Sequence, residues 1–129
     1  MSAPRRLHEV LAFEFPLLSA DRVHGRFTID DRHLQPEGLV HGGVYAALAE
    51  ALASEGTAEG VGRDPALVVT GMSNYTSFLR PMTAGTIEAE GEPFHRGRTT
   101  WVWDVRCRDE RERLCAVSRV TIAIRPRRA

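Results

Sequence analysis

The sequence contains no lysine: all 17 of its basic residues are arginine, set against 17 acidic residues over 129 positions. Chemistry that depends on a lysine amine, such as Schiff-base catalysis, is therefore excluded. Neither charge is in excess, so the basic surplus that draws a protein to nucleic acid or to an anionic membrane is missing, and neither partner is expected. Long apolar runs are missing too. The longest, Val44 to Ala49, is far short of the roughly 20 residues a membrane span needs. The first residues, Met1-Ser2-Ala3-Pro4-Arg5-Arg6, lead into no apolar segment of the signal-peptide kind, and a cytoplasmic protein is expected.

There are two cysteines, Cys107 and Cys115. They lack Cys-x-x-Cys spacing and no histidine pair stands at zinc-finger intervals, so no metal site is expected. They read as buried free thiols. A tight hairpin through Asp109-Glu110-Arg111-Glu112-Arg113 would set them opposite one another, but a disulfide is not needed. A chain of this length buries roughly two thirds of its unfolded surface and holds a core without staples.

What is present, 43% hydrophobic residues in one short chain, fits a single domain over residues 1–129. Residues 5–14 read as a short entry helix. Arg22 to Ile29 alternates, with Val23, Gly25, Phe27 and Ile29 against Arg22, His24, Arg26 and Thr28, the period of a half-buried strand. A polar connection with Pro36 and Gly38 follows. From Gly43 to about Glu59 the sequence holds six alanines and no proline, which predicts one long helix. Its faces are almost all small or apolar, so most of it is expected to be buried.

Beyond the turn at Gly62-Arg63-Asp64-Pro65, four strand-like segments run to the end: Leu67 to Leu79, Gly85 to Phe94, Thr99 to Arg108 and Leu114 to Ile124. They are rich in β-branched and aromatic residues and separated by turn residues. Trp101, Trp103, Val105 and Cys107 share one face, and Val102, Asp104, Arg106 and Arg108 the other, as in a sheet with one covered face. The tail from Arg125 to Ala129 reads as a solvated basic terminus. The layout is α+β: one helix packed on an antiparallel sheet of about five strands.

The segment Gln35-Pro36-Glu37-Gly38-Leu39-Val40-His41-Gly42-Gly43 leads into the long helix. The first amides of a helix have no intrahelical acceptor and sit at the positive end of its dipole. Glycines there admit close approach, so Gly42 and Gly43 suit an oxyanion site for acyl transfer or merely a turned corner. Glu50 stands alone among Ala46, Ala47, Ala49, Ala51 and Ala53. It reads either as a member of an exposed stripe or as a buried carboxylate serving as nucleophile or general base. Ser54 lies one turn on, within reach of the carboxylate or a water. Gly42 and Glu50 are eight residues apart, roughly 12 Å along a helix, so one helix cannot bring both to one thioester. Two antiparallel helices about a twofold axis would make two composite sites, and a dimer is expected if the site is real.

His41-Gly42-Gly43 opening an alanine-rich helix, Glu50 nine residues after the histidine and Gln35 six before it resemble the hotdog-fold acyl-CoA thioesterases. The likeness is to the 4-hydroxybenzoyl-CoA and phenylacetate-degradation thioesterases. It covers residues 20–125 in element order and is most specific over 35–54. It implies a sheet wrapped around the helix, dimers with a continuous sheet, and pairing of dimers into a homotetramer. It further implies that Gly42 N–H binds the thioester carbonyl, that Gln35 assists, and that Glu50 of the partner subunit attacks or activates water. Ser54 falls where one branch has a threonine that aids the nucleophilic water, and Thr70 near a strand Ser/Thr of another branch. Many phenylacetate-type members carry aspartate where Glu50 stands, and the glutamate tilts the expected substrate toward an aryl- or medium-chain acyl-CoA. No cofactor is implied, CoA being part of the substrate.

His41 is expected to anchor its loop more than to transfer protons. Arg96 and Arg98, with Arg80, Arg125, Arg127 and Arg128 behind them, are candidates for the CoA phosphates. Trp101 and Trp103 read as core or subunit contact. A hotdog dehydratase would need a His-Phe-Pro-Gly loop, which the sequence lacks. A non-catalytic acyl-CoA-binding module is the alternative from another class, with Glu50 purely structural.

Overall fold

The computed structural model describes residues 6–128; Arg5, where the entry helix was placed, and Ala129 lie outside them. The alanine-rich segment forms α2, Gly42–Gly60, after a short α1, Leu7–Val10. Six strands complete the fold: β1 Glu14–Leu18, β2 Val23–Thr28, β3 Leu67–Phe78, β4 Thr86–Arg96, β5 Thr100–Arg108 and β6 Leu114–Pro126. They form one antiparallel sheet in the order β1-β2-β4-β5-β6-β3, and α2 packs against every strand of it. The wrapped helix of the resemblance is therefore present.

The extra strand is β1. The entry helix stops at Val10, Ala12 takes a positive φ of 57°, and the chain turns into a strand. Pro16 interrupts any alternation there, and the pairing with β2 is irregular between Glu14 and Leu17. Proline donates no ladder hydrogen bond and is tolerated on an edge, so β1 leaves no period-2 signature.

The core lies between α2 and the concave face of the sheet. Leu48, Ala49, Leu52 and Ala53 of α2 meet Phe27, Ile87, Trp103, Val120 and Ile122, all fully buried. The alternation expected in β5 holds, with Trp101, Trp103, Val105 and Cys107 inward. Both tryptophans belong to this core. The Trp103 ring fills the space a Cβ on Gly56 would take, and Trp101 does the same at Gly60, so these helix positions admit only glycine. Trp103 Nε1 donates to Thr57 Oγ1 at 2.9 Å, and Thr57 Oγ1 donates to the Ala53 carbonyl at 2.8 Å. Cys107 and Cys115 are buried free thiols.

The β5–β6 turn is closed by Asp109, whose carboxylate accepts from the Arg111 and Arg113 amides at 2.9 Å each and from Arg113 Nε at 2.8 Å. The tail is more ordered than a solvated terminus. β6 runs to Pro126, the Arg127 amide donates to the Ala66 carbonyl at 2.8 Å, and its Nε donates to the Pro65 carbonyl. No described helix is long and apolar enough to cross a membrane.

Candidate active site

His41 ends the polar connection and caps α2. Its Nδ1 accepts from the Gly43 amide at 2.8 Å, which requires the lone pair of a neutral imidazole. The His41 amide in turn donates to the His33 carbonyl at 2.8 Å. His33 is fully buried, receives the Asp30 amide on Nδ1 at 3.0 Å and bonds the Leu11 carbonyl through Nε2 at 2.7 Å. Its ring packs on Phe27 at 4.8 Å. The helix entry is thus tied to the end of α1 and to the core through a histidine that the sequence pattern does not single out.

With the Gly43 amide occupied, the Gly42 amide is the helix-terminal donor without an acceptor among the described residues. A Cβ on Gly42 would lie 2.5 Å from Phe78 Cζ, so only glycine fits beneath that ring. Gln35 shares a cavity of about 330 Å³ with Gly42, Tyr45, Phe78 and Arg80. Its Oε1 accepts from the Glu37 amide, and the Nε2 of the same side chain carries two further donors.

Glu50 lies in a second and larger cavity, about 590 Å³, with Gly43, Ala46, Ala47, Ala51 and Ser54 along one face of α2. Asn74, Thr76 and Phe78 of β3 form another wall, and Leu7, His8 and Phe13 a third. The Phe78 ring borders both cavities. The alternative of a buried Glu50 does not hold within one protomer: the residue is exposed, and the small-residue face around it is only half covered. The buried residues of α2 are those on its other side, Val44, Tyr45, Leu48, Ala49, Leu52, Ala53, Gly56 and Thr57. The carboxylate rests over Gly71 of β3, where a Cβ would stand 2.8 Å from Glu50 Cδ.

A family model described as the thioesterase superfamily matches residues 37–116. The chain belongs to that superfamily. This thioesterase is 33% identical over 122 residues to the 1,4-dihydroxy-2-naphthoyl-CoA hydrolase of Listeria monocytogenes, a match covering 95% of this chain and 98% of the relative. A thioesterase from Haemophilus influenzae superposes with a TM-score of 0.84 at 31% identity, over 92% of this chain and 82% of that one. A thioesterase from Staphylococcus aureus carrying a glutamine-to-alanine replacement superposes at 0.88 with 28% identity, over 93% and 98% of the two chains. The same protein with a glutamate-to-alanine replacement gives 0.89 at 29%, over 95% and 100%. The hotdog fold and a thioester-hydrolase activity follow from these likenesses.

Not every candidate converges in the thioesterase protomer. Thr70 precedes Gly71, which faces Glu50, and adjacent strand residues point to opposite faces; Thr70 is exposed on the side turned away from α2. Arg96 and Arg98 belong to the β4–β5 hairpin, beside Trp101 and the C-terminal end of α2 at Gly60. That is the end opposite Gly42. Arg96 Nη2 donates to Asp21 Oδ1 at 2.6 Å and the guanidinium covers the Trp101 ring. Arg125 Nη1 donates to the Thr99 and Ile124 carbonyls, and Arg127 Nη2 donates to that of Leu67. Arg80 alone of the named arginines lines a cavity with Gly42. Phe78, Gly71 and Asn74 of β3 went unnoticed in the sequence, since their importance rests on contacts with α2 that no local pattern announces.

Proposed function

We propose that this thioesterase hydrolyses an aryl- or medium-chain acyl-CoA to the free acid and CoA, at sites shared between two subunits. The observation that carries the reading is the separation of two groups on one helix. The unpartnered Gly42 amide and the exposed Glu50 carboxylate stand roughly 12 Å apart along α2, too far to act on one carbonyl. A twofold axis running the two helices antiparallel brings Glu50 of one subunit to Gly42 of the other. β3 supplies the means. It is a 12-residue edge strand with Met72, Tyr75 and Phe78, and Leu79 just beyond its end, all more than half exposed, and an exposed, apolar edge of this kind invites pairing. Pairing β3 with its copy makes one continuous sheet and closes the open face of α2; two such dimers form the tetramer.

In this arrangement Gly42 N–H and the Gln35 amide bind the thioester carbonyl, and the helix dipole favours the oxyanion that develops there. Glu50 of the partner either takes a proton from water or adds directly to the carbonyl carbon, with Ser54 holding the water. The C–S bond breaks and the CoA thiolate takes up a proton; on the first route water has become the hydroxyl of the free acid, and on the second the mixed anhydride left on Glu50 is opened by water, which frees the acid and restores the carboxylate. The two S. aureus replacements are 15 positions apart, the separation of Gln35 and Glu50, which supports the pairing of roles. Release of free thiol from aryl-, short-, medium- and long-chain acyl-CoAs, with wild type and Glu50→Ala side by side, tests the reading. Turnover of the aryl or medium class, lost in Glu50→Ala, is expected. Equal turnover by both proteins would remove Glu50 from the mechanism, and tight binding without turnover would leave an acyl-CoA-binding module.

A further inference from the structure

Glu50 faces β3 at the point where that strand is irregular. Gly71 pairs with Ile122 and Ser73 with Thr121, so Met72 is an extra residue in the ladder with β6. In a regular strand residues three apart point to opposite faces. A one-residue bulge reverses that parity, and Gly71 and Asn74 consequently both face α2. The ideal Cβ position at Gly71 is 2.8 Å from Glu50 Cδ and 3.0 Å from Oε2. Asn74 Nδ2 donates to the Ala46 carbonyl at 2.9 Å, the same carbonyl that the Glu50 amide bonds in an α-helix. The Asn74 amide is itself oriented, because Thr76 Oγ1 donates to Asn74 Oδ1 at 2.7 Å and lies 2.8 Å from Ser118 Oγ.

We infer that the β3 bulge at Gly71–Ser73 positions the Glu50 carboxylate for the reaction, Gly71 by leaving the space beside it empty and Asn74 by fixing the helical turn that carries it. The inference rests on the catalytic reading of Glu50 given above. Gly71 and Asn74 act through Glu50 and are positioning residues. A methyl group at Gly71 meets the far end of a flexible side chain on a face that its own protomer leaves open, so the fold of the protomer survives and the carboxylate moves. Displacement of a reacting group by 1 Å is enough to cost about 100-fold in rate. Aspartate, one methylene shorter, withdraws from the added methyl, so shortening residue 50 compensates for enlarging residue 71.

The experiment measures thiol release from the acyl-CoA that wild type turns over fastest. It compares wild type, Glu50→Ala, Glu50→Asp, Gly71→Ala, the Gly71→Ala/Glu50→Asp double variant and Asn74→Ala, with melting temperatures recorded in parallel. Gly71→Ala is expected to lower kcat about 100-fold while KM stays within about twofold. The double variant is expected to be at least as active as Gly71→Ala alone. Asn74→Ala lowers kcat at unchanged KM and is readable even where Gly71→Ala yields no folded protein. With Glu50→Ala inactive, a wild-type kcat in Gly71→Ala, losses that multiply in the double variant, or an unchanged kcat in Asn74→Ala would overturn the inference and leave the role of Glu50 standing. Full turnover by Glu50→Ala would instead overturn the catalytic reading itself.

Discussion

His41 Nδ1 holds the amide of Gly43 at 2.8 Å, which leaves the preceding amide, that of Gly42, as the donor presented to a substrate. The imidazole is therefore a helix cap in the first place. His41→Ala is expected to lower unfolding stability by about 1 kcal/mol, and His41→Asn, whose side-chain oxygen can accept the same amide, to keep most of it. Urea denaturation measures both. Because the cap, not proton transfer, is the assigned role, kcat in His41→Asn stays within about threefold of wild type. A well-folded His41→Asn with kcat reduced a hundredfold would make the imidazole an acid or base.

Phe78 covers Gly42 so closely that a Cβ there would lie 2.5 Å from its ring. Gly42→Ala leaves the backbone donor in place but drives the ring into one of the two cavities it borders. The expected result is a fall in kcat/KM of about 100-fold, the order seen when an oxyanion donor is lost. Removing the ring in Gly42→Ala/Phe78→Ala restores part of it. A double variant no better than Gly42→Ala would show that the methyl acts on the amide itself and not through Phe78.

Burial, with Cys115 beside it as a smaller cause, pushes the Cys107 thiol up to about 12. Burial likewise raises Cys115, with Asp109 adding to it. Both therefore stay as unreactive thiols at neutral pH. Labelling with a disulfide reagent is expected to detect neither cysteine in the native protein and both in denaturant. Rapid labelling of the native protein would contradict their burial.

Asp109 predicts the behaviour in acid. Burial would raise its pKa, but the hydrogen bonds from the Arg113 amide and guanidinium and from the Arg111 amide outweigh it and hold the carboxyl below its ordinary 3.8. A carboxyl depressed in the folded state contributes stability that is complete above the unfolded value and is lost as pH falls through the folded one. Wild type should therefore lose stability below about pH 4 through this group. Asp109→Asn lowers the melting temperature at pH 7 and flattens that acid limb. Parallel pH profiles for the two proteins would remove Asp109 from the account.

The sequence was most legible where structure is local and periodic. α2 extends the expected helix by one residue at each end, and the inward row from Trp101 to Cys107 is as the alternation indicates. β1 escaped because Pro16 breaks the pattern on an edge strand. Gln35, Gly42 and Glu50, whose proposed roles rest on spacing along one segment, could be named from the sequence as candidates. Gly71 and Phe78 could not, since each matters through one contact with a residue 21 to 36 positions away. Of the two readings of Glu50 that the sequence leaves open, a single protomer shows the exposed one. Its alanine neighbours suggest burial, whereas a single protomer leaves that side of α2 open, and in the proposed dimer it is a second α2 that covers it. Arg96 and Arg98 offer only their charge in the sequence, and Trp101 over Gly60 places their hairpin at the C-terminal end of α2 within the protomer.

The composite site is the central claim, and subunit complementation tests it most directly. Glu50→Ala and Gln35→Ala are each expected to impair both sites of their own homodimer. In a heterodimer of the two, one site receives Gln35 from the first subunit and Glu50 from the second, and is wild type. Mixing equal amounts through unfolding and refolding makes half of the dimers heterodimers, so activity is expected to recover to about one quarter of the wild-type value under random twofold pairing. A mixture no more active than the average of the two variants would place Gln35 and Glu50 of the same subunit in one site and contradict the account.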